Sequence, residues 1–156
     1  MYKRILVPLD GSPASECGLK EAVLLARQNK ARLRLLHVVG VFIATPMLSR
    51  GRYVGDPEAM LRRNAKSMLE DTERLVRRHR VQVDSVLMDA GRKRAADAIV
   101  EHAGKWRADL IVMGTHGRRG LKRLALGSET AKVIRSSPSS VLVVRPKAAP
   151  ERQRRG

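Results

Sequence analysis

Five short apolar runs alternate with four helix-patterned stretches along this chain, and that alternation limits its folds more than any other feature. The runs are Arg4–Pro8, Arg32–Val39, Val81–Met88, Leu110–Met113 and Ser140–Val144. Their length and their richness in Val, Leu and Ile are those of strands. Between them apolar residues recur at helical spacing. Leu19, Ala22, Val23 and Ala26 share one face of a helix over about 14–28, and Leu61, Ala65, Met68, Leu69, Thr72, Leu75 and Val76 share one face of a longer helix. Further helices are expected over Ala95–Trp106 and Glu129–Arg135. A strict strand–helix alternation gives an α/β fold, a parallel sheet with helices on both faces.

The punctuation agrees with this pattern. Ser12-Pro13 and Asp56-Pro57 each read as an N-cap followed by proline at the first helical position. Met60 and Met68 read as core filler, and the arginines on the same helix as a solvated face. Gly40 to Gly55 is a long apolar connection with material to cover a ligand.

Composition then bounds the partners. A chain of 156 residues is expected to form one domain, over residues 1–146, followed by a basic, disordered tail over 147–156. The net charge of +17 calls for anionic partners: nucleotides, nucleic acid or acidic surfaces. A single cysteine, Cys17, fits a reducing cytoplasm, and no run is long enough to span a bilayer. Aromatic residues are 3% of the chain, too few for the stacking platforms of single-strand binders.

In a parallel α/β sheet, ligands sit beyond the carboxyl ends of the strands, where the strand order reverses. Three segments meet that condition: Pro8-Leu9-Asp10-Gly11, Val38-Val39, and the loop from Met113 to Ser128. That loop has glycines at 114, 117, 120 and 127, and between them lie Arg118, Arg119, Lys122 and Arg123. Glycine lets backbone N–H groups approach an anion, and a helix start offers unpaired N–H groups and positive potential. The loop is neither a Walker A sequence nor a dinucleotide fingerprint. Its spacing is Gly114-x2-Gly117-x9-Gly127-Ser128, which permits Ser128 to act as N-cap or to bind the anion itself. Asp10 suits ribose hydroxyls or a magnesium-bound water; the alternative is a turn residue bonding its own backbone.

The G-x2-G-x9-G-S spacing resembles that of the ATP-binding branch of the universal stress protein family. Ile5 to Ser12, Leu36-His-Val38, Ala108 to Gly117 and Ser140 to Val144 resemble that family's strands in the same order, over nearly the whole chain. The resemblance implies a three-layer sandwich of the adenine-nucleotide alpha-hydrolase type, with a five-stranded parallel sheet in the order 3-2-1-4-5. It implies ATP, with or without magnesium. Adenine would lie near the Val38 backbone, Pro8 and Leu9, and ribose near Asp10. The phosphates would lie on Met113, Gly114, Gly117, Gly127, Ser128 and Glu129, supported by His116, Arg118, Arg119 and Lys122. It also implies a homodimer through the last strand and a role as a cytoplasmic stress-response regulator.

Two features depart from the family pattern. Glu129 stands where an apolar or small residue is usual, and its charge would repel a phosphate unless the side chain turns away. The turn Gly91–Asp97 is more basic than usual and could add positive charge on the phosphate side. No catalytic triad, carboxylate pair or His/Cys metal cluster is recognisable, so slow ATP hydrolysis is the most enzymatic activity expected. Two alternatives stand beside the regulator: a non-specific nucleic-acid-associated protein, and a nucleotide-transfer enzyme of related fold.

Overall fold

A computed structural model of the chain describes residues 1–40, 56–115 and 126–146. The elements are β1 (Arg4–Pro8), α1 (Pro13–Asn29), β2 (Arg32–Val39), α2 (Pro57–Arg77), β3 (Val83–Asp89), α3 (Ala95–Trp106), β4 (Leu110–Gly114), α4 (Ser128–Ser136) and β5 (Ser140–Val144). All four neighbouring strand pairs are parallel, and the order is β3-β2-β1-β4-β5. The expected fold class and strand order are those observed.

The period-2 rule sorts the sheet's side chains into two cores. Ile5, Val7, Leu33, Leu35, Leu110 and Val112 face α1 and α2, meeting Ala22, Val23 and Ala26 of the first and Leu69 and Val76 of the second. Leu6, Leu36, Ile111 and Met113 face the other way, onto Ala96, Ile99 and Ala103 of α3 and Val133 of α4. The result is a three-layer sandwich. The central strands β1 and β4 are covered on both sides, which explains why they read as continuous apolar runs.

Both expected caps form. The Ser15 N–H donates to Ser12 Oγ at 3.2 Å, and the Glu58 N–H donates to Asp56 Oδ1 at 2.9 Å. Three details differ from the sequence reading. β3 begins at Val83, because Val81 and Gln82 belong to the turn entering it. Met60 and Leu75 are exposed, at 38% and 56%, so neither fills the core. With arginines flanking it, the apolar stripe of α2 is narrower than its residue spacing suggested. Most of the Gly40–Gly55 connection and the 147–156 tail lie outside the described residues.

Candidate functional site

β1 and β4 pair only through Ile5–Leu110 and Leu6–Ile111, whereas β2 and β3 pair continuously from Leu33–Val83 to Val39–Asp89. Past Leu6 the two central strands separate. The strand order also reverses here, and this is the crevice in which such sheets take ligands.

On the β1 side, the chain turns away just after the strand. The Leu9 N–H donates to the Leu36 carbonyl at 2.8 Å. The Leu9 carbonyl lies 2.7 Å from His37 Nδ1, so that nitrogen carries the proton and donates to it. Successive residues of a strand turn their peptides to opposite neighbours. Leu36 faces β1, and Val38 therefore faces the same side, beyond the point where β1 has ended. Asp10 organises the turn itself: its Oδ1 accepts the Ser12 N–H at 2.9 Å, while Gly11 takes φ 76°. A role for Asp10 toward a sugar would come in addition to this turn bond.

On the β4 side, the two ends of the glycine-rich loop are tied together. The Thr115 N–H donates to the Val144 carbonyl at 3.0 Å, and the Thr115 carbonyl accepts the Gly127 N–H at 2.8 Å. Thr130, buried in the first turn of α4, donates its hydroxyl to the Gly114 carbonyl at 3.1 Å. Gly127 is the N-cap of α4 and Ser128 its first helical residue, so Ser128 does not cap the helix. Gly127 has no side chain to cap with, and its own N–H is spent on Thr115. The N–H groups that α4 leaves without an intrahelical acceptor, beyond Gly127, are those of Ser128, Glu129 and Thr130, at the positive end of the helix dipole.

Gly114 is glycine for a reason of packing. A Cβ there would lie 2.4 Å from the Ala14 carbonyl carbon and 2.8 Å from its Cβ. Gly18, one turn along α1, is nearly as close, since a Cβ on it would sit 3.2 Å from the Met113 carbonyl carbon. α1 thus rests directly on the carboxyl end of β4, and this contact fixes where the loop leaves the sheet.

Glu129 turns away from the crevice. Its Oε2 accepts the Ala96 N–H at 2.7 Å, and its Oε1 accepts Arg94 Nη2 at 2.7 Å and Nε at 3.1 Å. Arg94, at the N-cap of α3, supplies no cap of its own, so Glu129 caps α3 from α4. Lys132, one turn on, pairs with Asp97 at 2.8 Å. The basic turn after β3 is largely spent in the same way. Lys93 pairs with Glu101, which Lys105 and Lys93 together hold down to about 2, and Arg94 pairs with Glu129.

The structure therefore brings Pro8, Leu9, Asp10, Val38, Met113, Gly114, Gly127, Ser128 and Glu129 to one edge of the sheet. His116, Gly117, Arg118, Arg119 and Lys122 lie outside the described residues. The sequence reading passed over Thr130, Ala14 and Gly18, and the partner of His37. His37 follows Leu36 at the strand end and anchors the β1 turn, a signal available only once Leu9 is known to lie beside it.

The chain matches the Universal stress protein family over residues 1–145. It belongs to the universal stress protein family. Among relatives, it is 32% identical over 147 residues to a universal stress protein of Methanocaldococcus jannaschii, MJ0531, covering 93% of this chain and 83% of that one. Among solved structures, MJ0577 of the same organism superposes with a TM-score of 0.80 at 30% identity, over 96% of this chain and 99% of that one. A universal stress protein of Archaeoglobus fulgidus, solved in complex with dAMP, shares the fold at a TM-score of 0.64 and 22% identity, over 91% and 97% of the two chains. Among the described residues of this universal stress protein, no helix is long and apolar enough to cross a membrane.

Proposed function

We propose that this universal stress protein binds ATP at the β1/β4 crevice and acts as a cytoplasmic regulator whose state follows the nucleotide. The observation that carries this reading is the uncapped amino end of α4. It opens at the switch point directly after the Gly114-x2-Gly117-x9-Gly127-Ser128 spacing. The donor set suits a polyphosphate: the Ser128 and Glu129 N–H groups and the Ser128 hydroxyl, with the Glu129 carboxylate bound to the Ala96 N–H instead of facing them. Glu129, the one nearby carboxylate on α4, is held on α3.

Adenine would lie against the Val38 peptide beside Pro8 and Leu9, a position whose floor is set by the His37–Leu9 bond. Asp10 would take the ribose hydroxyls, and Met113 and Gly114 would flank the phosphates. Magnesium, if it accompanies the nucleotide, would balance phosphate charge from the Asp10 side through water. Second copies of the chain would pair along β5.

The test is calorimetric titration of the purified protein with ATP, after mass spectrometry of any nucleotide that co-purifies. Saturable binding of one ATP per chain is expected. Ser128→Ala, which removes a hydrogen bond to a charged group, should weaken it about tenfold. Absence of both co-purified nucleotide and binding heat would overturn the reading.

A further inference from the structure

The two edges of the sheet carry their positive charge differently. At the carboxyl edge three of the described cations are matched, Arg62 with Asp89 and Glu58, Lys93 with Glu101, and Arg94 with Glu129, and two, Arg92 and Arg145, make no ion pair with a described acid. A parallel sheet places every strand start at the opposite edge. There Lys3, Lys30, Arg78, Arg80, Arg107 and Arg135 lie exposed in the segments leading into β1 to β5. None of these six makes an ion pair with a described acid. The acids at this edge are committed elsewhere. Asp84 is held by Arg32 and Arg34, Glu73 by Arg77, and Asp109 accepts the Lys3 and Arg4 backbone N–H groups.

The backbone adds an independent observation. Among the described residues, Lys30, Arg80 and Arg107 are the non-glycine ones at positive φ, at 53°, 58° and 55°. Glycine ordinarily fills the left-handed position that ends a helix. Here α1 and α3 end on a long cation, Lys30 and Arg107, in that position instead, and Arg80 takes it two residues past the end of α2. The helix dipole does not require it, because Arg27, Arg74, Arg77, Lys105 and Arg135 already occupy the last turns.

We propose that this edge is a docking face for the phosphodiester backbone of duplex nucleic acid. Neighbouring strands lie about 4.8 Å apart, so five strand starts set out a row of cations roughly 19 Å long. Such a row matches a linear polyanion better than a single headgroup or phosphate. Four of the six cations are arginines, whose fork engages phosphate oxygens in pairs. An anionic membrane would ask for a set of apolar anchors among the cations; exposed large apolar side chains beside them are two, Met1 and Ile134, whereas Asn29, His79, Gln82 and Ser137 in these turns are polar. Aromatic residues are only 3% of the chain, so base stacking does not contribute and binding follows the backbone without sequence preference.

The experiment is fluorescence anisotropy with labelled 20-base-pair DNA and RNA duplexes, across a series of salt concentrations, on the full chain. Wild type should bind both, with affinity falling steeply with salt at about 0.9 in log–log slope per phosphate contact. The triple variant Arg78→Gln, Arg80→Gln, Arg107→Gln should lower the slope by about 2.7 and weaken binding at least tenfold. Two controls remove the same charge elsewhere: Lys20→Gln, Arg63→Gln, Lys66→Gln on the α1 and α2 surfaces, and Arg152→Gln, Arg154→Gln, Arg155→Gln in the tail. Both should stay within about twofold of wild type. Circular dichroism and ATP titration check that each variant folds. Equal losses in all three would show that net charge alone is at work, a loss confined to the tail variant would move the site there, and tighter capture of anionic vesicles or polyglutamate than of duplex would assign the face to a membrane or a protein. Any of these overturns the proposal.

Discussion

At the scale of single residues, Gly114 shows that a glycine at a strand end can be required by its back rather than its front. The atoms a Cβ would strike belong to Ala14, in the first turn of α1, not to a ligand. Gly114→Ala should therefore destabilise the apo protein by about 1–3 kcal/mol, the usual cost of overpacking a tight contact. Thermal unfolding without nucleotide checks this; an unchanged midpoint would return Gly114 to a purely ligand-facing role. A loss of ATP binding in this variant would not by itself report a lost phosphate contact. His102 makes a related point about the α3 face. Its Nε2 is buried with no hydrogen-bond partner among the described residues, and burial together with the nearby Arg34 pushes its pKa below the usual histidine value. The ring is neutral there and belongs to packing.

At the scale of elements, the informative contact is between α3 and α4. The other long helices carry their own caps, in Ser12 and Asp56, each close in sequence to the N–H it satisfies. α3 has none, and its cap arrives from Glu129. α4 is short, with only Val133 as a large, fully buried apolar side chain. Its seat therefore depends on polar ties: Glu129 to α3, Lys132 to Asp97, and Thr130 to Gly114. Glu129→Ala should cost about 1 kcal/mol of stability through the lost cap, read by urea unfolding. It should also weaken ATP binding, because the Ser128 and Glu129 amides lose their fixed position. Stronger binding by Glu129→Ala would mean that charge repulsion, not positioning, dominates at this residue.

At the scale of the whole molecule, β5 is an edge strand with every residue from Val141 to Val144 half-buried. Val141 packs on the α3/α4 core, and Leu142 and Val144 on the α1 core. Ile134 of α4, beside this edge, is 43% exposed. An apolar edge of this kind invites a second copy. We expect sedimentation equilibrium to give a dimer and Val143→Lys to give a folded monomer; a wild-type monomer at high micromolar concentration would remove the proposed β5 pairing. The same scale separates the two ends of the molecule. Among the described residues, the carboxyl edge has most of its charges paired and the crevice proposed for a nucleotide, and the amino edge has six unpaired cations.

The sequence by itself determined what is local. Alternating strand and helix periods set the layers, Ser12-Pro13 and Asp56-Pro57 set two helix starts, and the glycine spacing with its flanking strands identified the family and one edge of the sheet. Each of these signals acts over a few residues, through side-chain alternation or a backbone N–H within reach. The tertiary structure decided what depends on partners far along the chain. Glu129 reads in sequence as a conflict with phosphate, and in the fold its carboxylate is bound to an N–H that lies 33 residues away. Gly114 reads as a ligand-facing glycine until Ala14 is brought against it. The scattered lysines and arginines look like a uniform +17 until parallel strands gather six unpaired cations at one edge, while salt bridges take up Arg62, Lys93 and Arg94 at the other. Charge and close approach are properties of neighbours in space, and only the folded chain chooses those neighbours.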